Sequence, residues 1–590
     1  MNFRFTCFMI VIFLNIFLQQ IVIANSVIYI SPLPDSKYNS EETNIIIGYS
    51  KQIPSTKISS LILTVTGSNS GQHTGKIYFA ENSFKLIFKP DARFEFGEKV
   101  TVSGYNNSDS FSFFIRYVKA KQIDYLQNEM KIPEITDRNS VNNINPYKYS
   151  IDSLPHFTIW DNGPTATGYI FISNFSNNPT VANYLMILNN DGTPVFSRYL
   201  TGNGFDFKEQ NDHLLTYYDE IHQKYLGLDN NYNIVDSFAC GNGYTTDFHE
   251  VRVMSDSSAW LLSYDPEFVD MSKIITGGNP NATVTGLIVQ KINAEKQVVF
   301  QWRSWDHYLI IDATHENLYA ANIDYVHGNA IEIDYDGNIM ISCRHLDEIT
   351  KINSTTGDII WRLGGKNNQF TFINDSIGFS HQHHVRRVDE THISLFDNGN
   401  YHTPSFSRAV EYLLDENNKT ATLSWHYRHV PDIYSSAMGS VQKLSNGDFF
   451  IGWGSSNTTL TEITDEGSVV YELSLPPGET SYRAFRFNWQ NNITGIKQNN
   501  TIASKYILNQ NYPNPFNPMT KISFNITKSE FVTLKVYDIL GKEKSTIVNK
   551  DLNAGSYSYS FDASNLSSGV YFYKLTSGSF SDVKRMVIIK

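Results

Sequence analysis

Four segments of the chain share one pattern: a strand, a tight turn rich in Asp, Asn and Gly, and a second, more apolar strand. They are HEVRVMSDSSAWLLSYD from His249, HGNAIEIDYDGNIMISCR from His327, HHVRRVDETHISLFDNG from His383 and GSVQKLSNGDFFIGWG from Gly439. Further strand pairs lie between them, such as EITKINSTTGDIIWRLGG and AVEYLLDENNKTATLSWHYRHV. A lone hairpin of this kind cannot bury its apolar face, whereas copies arranged about an axis bury it against one another. Four strands per repeated unit predicts a β-propeller. Aromatic residues at 14% and charged residues at 18% fit strand-rich packing and exclude a disordered chain.

Three of the four copies open with a histidine at the same place. Equivalent positions in a propeller face a common channel, so His249, His327 and His383 are expected to meet there. The turn of the second copy centres between Tyr335 and Asp336, which sets Arg344 opposite His327. Directly opposed residues of antiparallel strands lie within about 5.5 Å at Cα and share a face. Three imidazoles can hold zinc, and His381 and His383 flank Gln382 on one strand face. Arg344 would repel a cation, however, and no acidic residue recurs at the ring position. Asp247, Asp324 and Asp397 lie near the motifs with their orientation open. Several imidazoles with one guanidinium suit an oxyanion, a sulfuryl or phosphoryl group. Neutral imidazole attacks, the guanidinium fork holds oxygens, and other imidazoles move protons. No metal and no cofactor are therefore expected.

Other group-transfer devices are missing from the sequence. It holds no GxxxxGK[ST] loop, no GxSxG elbow and no C-x-P-x-R motif; LGGKNN at Leu363 is a Gly-rich turn. A formal charge of −12 excludes a nucleic-acid partner, which needs a basic surface.

Around the repeat, the chain divides into units. Residues 1–24 read as a secretory signal peptide cleaved after Ala24, and no later stretch is apolar enough to span a bilayer. Residues 27–118 alternate in short bursts separated by turns, as an Ig-like β-sandwich does. Residues 119–152 form a polar linker or strap, 153–492 the propeller, and 493–505 a second linker; residues 506–590 are a further small β-sandwich. Cys240 and Cys343, left after the signal, either pair or stay reduced.

The motifs DFHEV at Asp247, DYVHGNAIEID at Asp324 and FSHQHHVRRV at Phe379 resemble the bacterial PAPS-independent aryl-sulfate sulfotransferases. So do LFDNG at Leu395, MGSVQKLSNGDFFIGWG at Met438 and SYRAFRFNW at Ser481. The resemblance implies a six-bladed propeller that moves a sulfuryl group from a phenolic sulfate donor to a phenol acceptor. It implies ping-pong transfer through a sulfohistidine on His383, with His249, His327 and Arg344 in the site. It also implies substrate contacts from Tyr482, Asn329 and Gln382. The chain has QHH where the family usually has QHD, so His384 replaces an acidic residue. It also has Ala330 where the family commonly has Ser. His381 is expected at the periphery. The competing readings are a non-catalytic surface propeller that binds glycans or proteins, and a metal-dependent enzyme. From YILNQNYPNPFNP to the closing KRMVIIK, the C-terminal unit resembles a type IX secretion sorting domain. That implies a partner in the secretion machinery and export to the surface or medium of a diderm bacterium.

Overall fold

The computed structural model describes residues 26–53, 63–105, 109–121, 154–176, 178, 181–489, 506–511, 514–552, 555–563 and 566–589. The signal-peptide expectation lies outside these residues, as does most of both linkers. The chain forms two compact units, Met1–Trp489 and Gln490–Lys590. Apart from short 3-10 turns, the described residues are all β, and no described helix is long and apolar enough to cross a membrane.

Between Thr158 and Phe487 lie six successive sheets of four or five strands. The four repeated hairpins begin the third to sixth sheets. Each closes with the same bond, an amide donating to the carbonyl four residues on: Met254 to Ser258, Asp334 to Asn338, Val388 to His392 and Leu444 to Asp448, at 2.8–2.9 Å. Three of these loops turn through a left-handed residue, Ser257 (φ 64°), Gly337 (φ 80°) and Gly447 (φ 100°), the conformation that glycine adopts most readily. In the second copy the Arg344 amide donates to the His327 carbonyl at 3.0 Å, the pairing read from the turn centre.

Two strand additions join the ends of this array. Glu479–Phe487 completes the first sheet beside Tyr169–Ser176, and Thr158–Asp161 adds to the sixth beside Val469–Ser474. Side chains of the first strands then link each sheet to the next. Arg483 of the first sheet donates to Asp206 of the second at 2.6 Å, and Lys208 of the second pairs with Glu250 of the third. Glu332 of the fourth pairs with Arg252 of the third (3.3 Å) and Arg386 of the fifth (3.6 Å). His383 of the fifth bonds Gly439 of the sixth, and Ser440 bonds the Ala484 carbonyl (3.0 Å) back in the first. The circuit closes. Bonds also cross it: Arg386 to Glu250 at 2.6 Å, and Arg483 to the Asn329 carbonyl at 2.7 Å.

Residues 26–121 add two four-stranded sheets around one core that includes Ile45, Ile47, Val65, Phe88, Val102 and Phe113. This pair is locked to the third sheet. Tyr29 donates to the Gln301 carbonyl (2.7 Å), and buried Arg116 lies among Glu41, Asp265 and Glu267. In the C-terminal unit, a three-stranded and a four-stranded sheet share a core that includes Phe524, Val536 and Tyr573.

The circuit makes Arg483 a critical member, since Asp206 and Glu250 share its guanidinium inside the protein. Arg483→Met is expected to lower stability by about 3–5 kcal/mol, because it strands buried carboxylates. The shift in the urea midpoint checks this.

Candidate active site

His249, His327 and His383 each stand at the start of the first strand of their sheet, and the closed circuit brings them together. All three are buried. The His249 ring lies 5.0 Å from that of His327 and 6.2 Å from that of His383, centroid to centroid. The backbone at His327, His381 and His384 is left-handed (φ 51–58°). Residues bearing a Cβ adopt that region at a cost of about 1–3 kcal/mol, and such strain gathers at functional sites.

Each imidazole is pinned through Nδ1. His249 bonds the Asp247 carboxylate at 2.7 Å, His327 the Asp324 carboxylate at 2.7 Å, and His383 the Gly439 carbonyl at 2.7 Å. Carboxylates and carbonyls only accept, so the proton sits on Nδ1 and the reactive position of each ring is Nε2. Tyr264 sits against His249 Nδ1 (3.3 Å) and donates to the Gly328 carbonyl (3.0 Å). The fourth repeat has no histidine, and its contribution is the Gly439 carbonyl. Gly439 has φ 101°, and a Cβ there would meet the Phe396 ring at 2.5 Å, so only glycine fits.

Tyr482, from the strand that closes the first sheet, reaches His383 Nε2 at 3.2 Å and the His249 carbonyl at 3.1 Å. Burial, together with Asp206 and Glu250, raises its phenol well above the usual value, so it acts as a donor.

Arg344 turns toward neighbouring His345. Its Nη1 donates to His345 Nε2 (2.8 Å), its Nη2 to the Ser436 carbonyl (2.9 Å), and its Nε is buried without a partner. Among the described residues it has no ion-pair partner. A buried guanidinium with spare donors is prepared for an anion. His345 packs 4.6 Å from the His327 ring and donates through Nδ1 to the Asp324 carbonyl at 2.6 Å. Burial, with His327 and Arg344 adding, pushes it down to about 3, so it stays neutral.

Asn329 and Gln382 brace the strands. The Asn329 amide donates to the Gln382 carbonyl (2.8 Å), and the Gln382 amide to the Ser342 hydroxyl and the Glu348 carbonyl. His384 turns to the far side, accepting from the Val441 amide (3.3 Å). Burial and the cations Arg386, Arg483 and Lys208 hold its imidazole well below the ordinary value. His381, expected at the periphery, is buried beside His345, ring to ring at 5.4 Å. Cys240 and Cys343 are unpaired.

Asp324, His327 and His345 are close enough together to suggest a cation. Their facing nitrogens already donate to Asp324, and Arg344 occupies the other side of His345. This donor set is a hydrogen-bonded bracket. Sequence reasoning placed Asp247 and Asp324 near the motifs with their orientation open; two and three residues before their histidines, both carboxylates turn inward to accept from Nδ1. His345, Tyr264 and the Gly439 carbonyl carried no such signal.

Residues 212–475 match the family described as Arylsulfotransferase (ASST), and residues 510–590 match the Secretion system C-terminal sorting domain. No curated protein matches the sequence. Among solved structures, a protein of unknown function from Bacteroides caccae is 12% identical, with TM-score 0.34, covering 54% of this chain and 98% of that one. A catalytically inactive virginiamycin B lyase from Staphylococcus aureus is 10% identical, with TM-score 0.30, covering 55% and 90%. Likenesses this distant say nothing about substrate. The chain carries an arylsulfotransferase (ASST) domain followed by a C-terminal type IX secretion sorting domain, which indicates secretion to the cell surface.

Proposed function

We propose that the chain is an aryl-sulfate sulfotransferase that moves a sulfuryl group from a phenolic sulfate ester to a phenol by ping-pong transfer through His383. In this reading residues 153–492 form a six-bladed β-propeller, and residues 27–118 an Ig-like sandwich docked on its third blade. The observation that carries the chemistry is the 2.7 Å bond from His383 Nδ1 to the Gly439 carbonyl. It fixes the tautomer that places a lone pair on Nε2, among His249, His327 and Tyr482.

In the first half-reaction, Tyr482 shifts its proton from His383 Nε2 to the His249 carbonyl and uncovers the lone pair. Nε2 attacks sulfur, the N–S bond forms and the S–O(aryl) bond breaks. His249 enters this half-reaction carrying a second proton, on Nε2, with its Nδ1–H held by Asp247, and the departing phenolate takes that Nε2 proton. In the second half-reaction the acceptor phenol gives its proton to His249 Nε2 and its oxygen attacks sulfur. The N–S electron pair then returns to His383. His327 and Arg344 stabilise charge on the sulfuryl oxygens. A phenol's ordinary pKa of about 10 makes proton transfer worthwhile in both directions.

His383→Ala is expected to reduce transfer from 4-nitrophenyl sulfate to phenol at least about 1,000-fold. Mass spectrometry of the wild-type protein quenched with donor alone should find sulfate on His383; sulfate elsewhere, or none, would sink the reading. Asp247→Asn replaces an acceptor with an amide that can donate to Nδ1. It should invert the tautomer and cost about 100-fold or more in kcat, with the fold kept by circular dichroism. Activity should survive EDTA; its loss would instead support metal chemistry.

A further inference from the structure

Beyond His345 the line of rings continues to His381, Tyr401 and His315, which the proposed transfer steps do not use. His381 lies 5.4 Å from His345 and 4.9 Å, edge-on, from Tyr401. Tyr401 is stacked on His315 at 3.4 Å with the planes 13° apart, and half of its surface is exposed. Asp347 joins the two loops that carry these rings. Its carboxylate accepts from the His381 amide (2.7 Å) and pairs with His315 Nε2 (3.0 Å). The arrangement is thus a built wall, open to solvent at Tyr401 and continuous with the ring cluster through His345 and His327.

Within it His381 is anomalous. It is 4% exposed, yet among the described residues neither ring nitrogen has a hydrogen-bond partner. Leaving such groups buried and unpaired costs on the order of 1–3 kcal/mol each. The backbone at His381 is also held left-handed, at φ 51°. Burial lowers its basicity and the nearby Arg344, His345 and His315 lower it further, so the ring stays neutral and offers one donor and one acceptor. A hydroxyl can complement one of these nitrogens, donating to the bare one or accepting from the N–H. The partner would lie beyond His345, on the side away from the transferred group. For an aromatic ring that carries this hydroxyl, the Tyr401–His315 pair offers a face to stack on.

We infer that His381 and the Tyr401–His315 stack form a specificity subsite for the non-reacting end of the aryl substrate, selecting rings with a second hydroxyl group. This rests on the sulfotransferase reading for what happens at the other end of the ring. His381 holds the hydroxyl opposite the reacting oxygen, and Tyr401 packs on the ring. A phenol lacking that hydroxyl leaves the facing nitrogen of His381 unpaired, and such a site discriminates against it.

The test compares hydroquinone with phenol as acceptors from 4-nitrophenyl sulfate, using full-length protein. In the wild type, kcat/KM for hydroquinone should exceed that for phenol about 10-fold, well above the twofold expected from two equivalent hydroxyls. His381→Phe keeps the ring and removes both nitrogens, so the ratio should fall to about twofold. His381→Asn tolerates the left-handed backbone and keeps a donor and an acceptor, so it should retain most of the preference. Calorimetric titration of both ligands gives the same comparison without turnover. Absence of sulfuryl transfer by the wild type would overturn the sulfotransferase reading alone, and the titrations would still decide the subsite. An equal ratio in wild type and His381→Phe, or a wild type with no preference for hydroquinone, would overturn the subsite.

Discussion

Charge pairing among the first strands of the six sheets is the constraint on which the rest of the molecule depends. Asp206, Lys208, Glu250, Arg252, Glu332, Arg386 and Arg483 come from five of the six sheets and meet largely out of water. Charges this buried are tolerable only when each finds a partner in good geometry, which makes the arrangement unforgiving of any slip in register. Burial alone would raise the Glu250 carboxyl; Arg386, Lys208 and Arg483 overcome that and hold it well below the usual range. Sheets that slid or splayed would strand such groups, so the network selects one closed arrangement over looser alternatives.

The same network positions the candidate site. His249 is followed directly by Glu250, and Tyr482 by Arg483; Arg386 is three residues beyond His383. Residues at the strand ends form the imidazole cluster while their neighbours are drawn into the network. The histidines are therefore placed by backbone that is itself fixed by buried ions. Asp247, Asp324 and the Gly439 carbonyl then settle which nitrogen each ring presents. Positioning and tautomer have separate causes, and both precede any substrate.

Much of this was legible in the repeat. Alternation and turn residues identified the hairpins; the second pairs about Asp336, half a residue past the centre read from sequence, and a bulge between Gly328 and Ala330 is what brings Arg344 opposite His327. The meeting of His249, His327 and His383 followed from their equivalent positions. Side-chain direction was not legible. Arg344 stands across from His327 yet spends its Nη1 on His345 because a 3-10 turn at Arg344–Leu346 swings it along the chain. Gln382 sits beside the candidate nucleophile in sequence but braces the neighbouring sheet, and His381, with left-handed backbone, packs against His345 and Tyr401. A pattern of residue types cannot report a local sign change in φ.

The network also bears on how a chain of formal charge −12 could receive an anionic ester. It holds four cations, Lys208, Arg252, Arg386 and Arg483, against three carboxylates, Asp206, Glu250 and Glu332. Close by, His384 stands neutral. An acidic side chain at that position would cancel the excess; the imidazole leaves it. Arg344, on the other side of the ring cluster, likewise has no ion-pair partner among the described residues. Two unbalanced positive regions thus flank His383 in a place where water screens little. Charge at this range outweighs a negative field spread over the distant surface, so the site favours an oxyanion while the protein as a whole repels one. Burial pushes Lys208 down to about 8, so the lower region weakens as pH rises through that value.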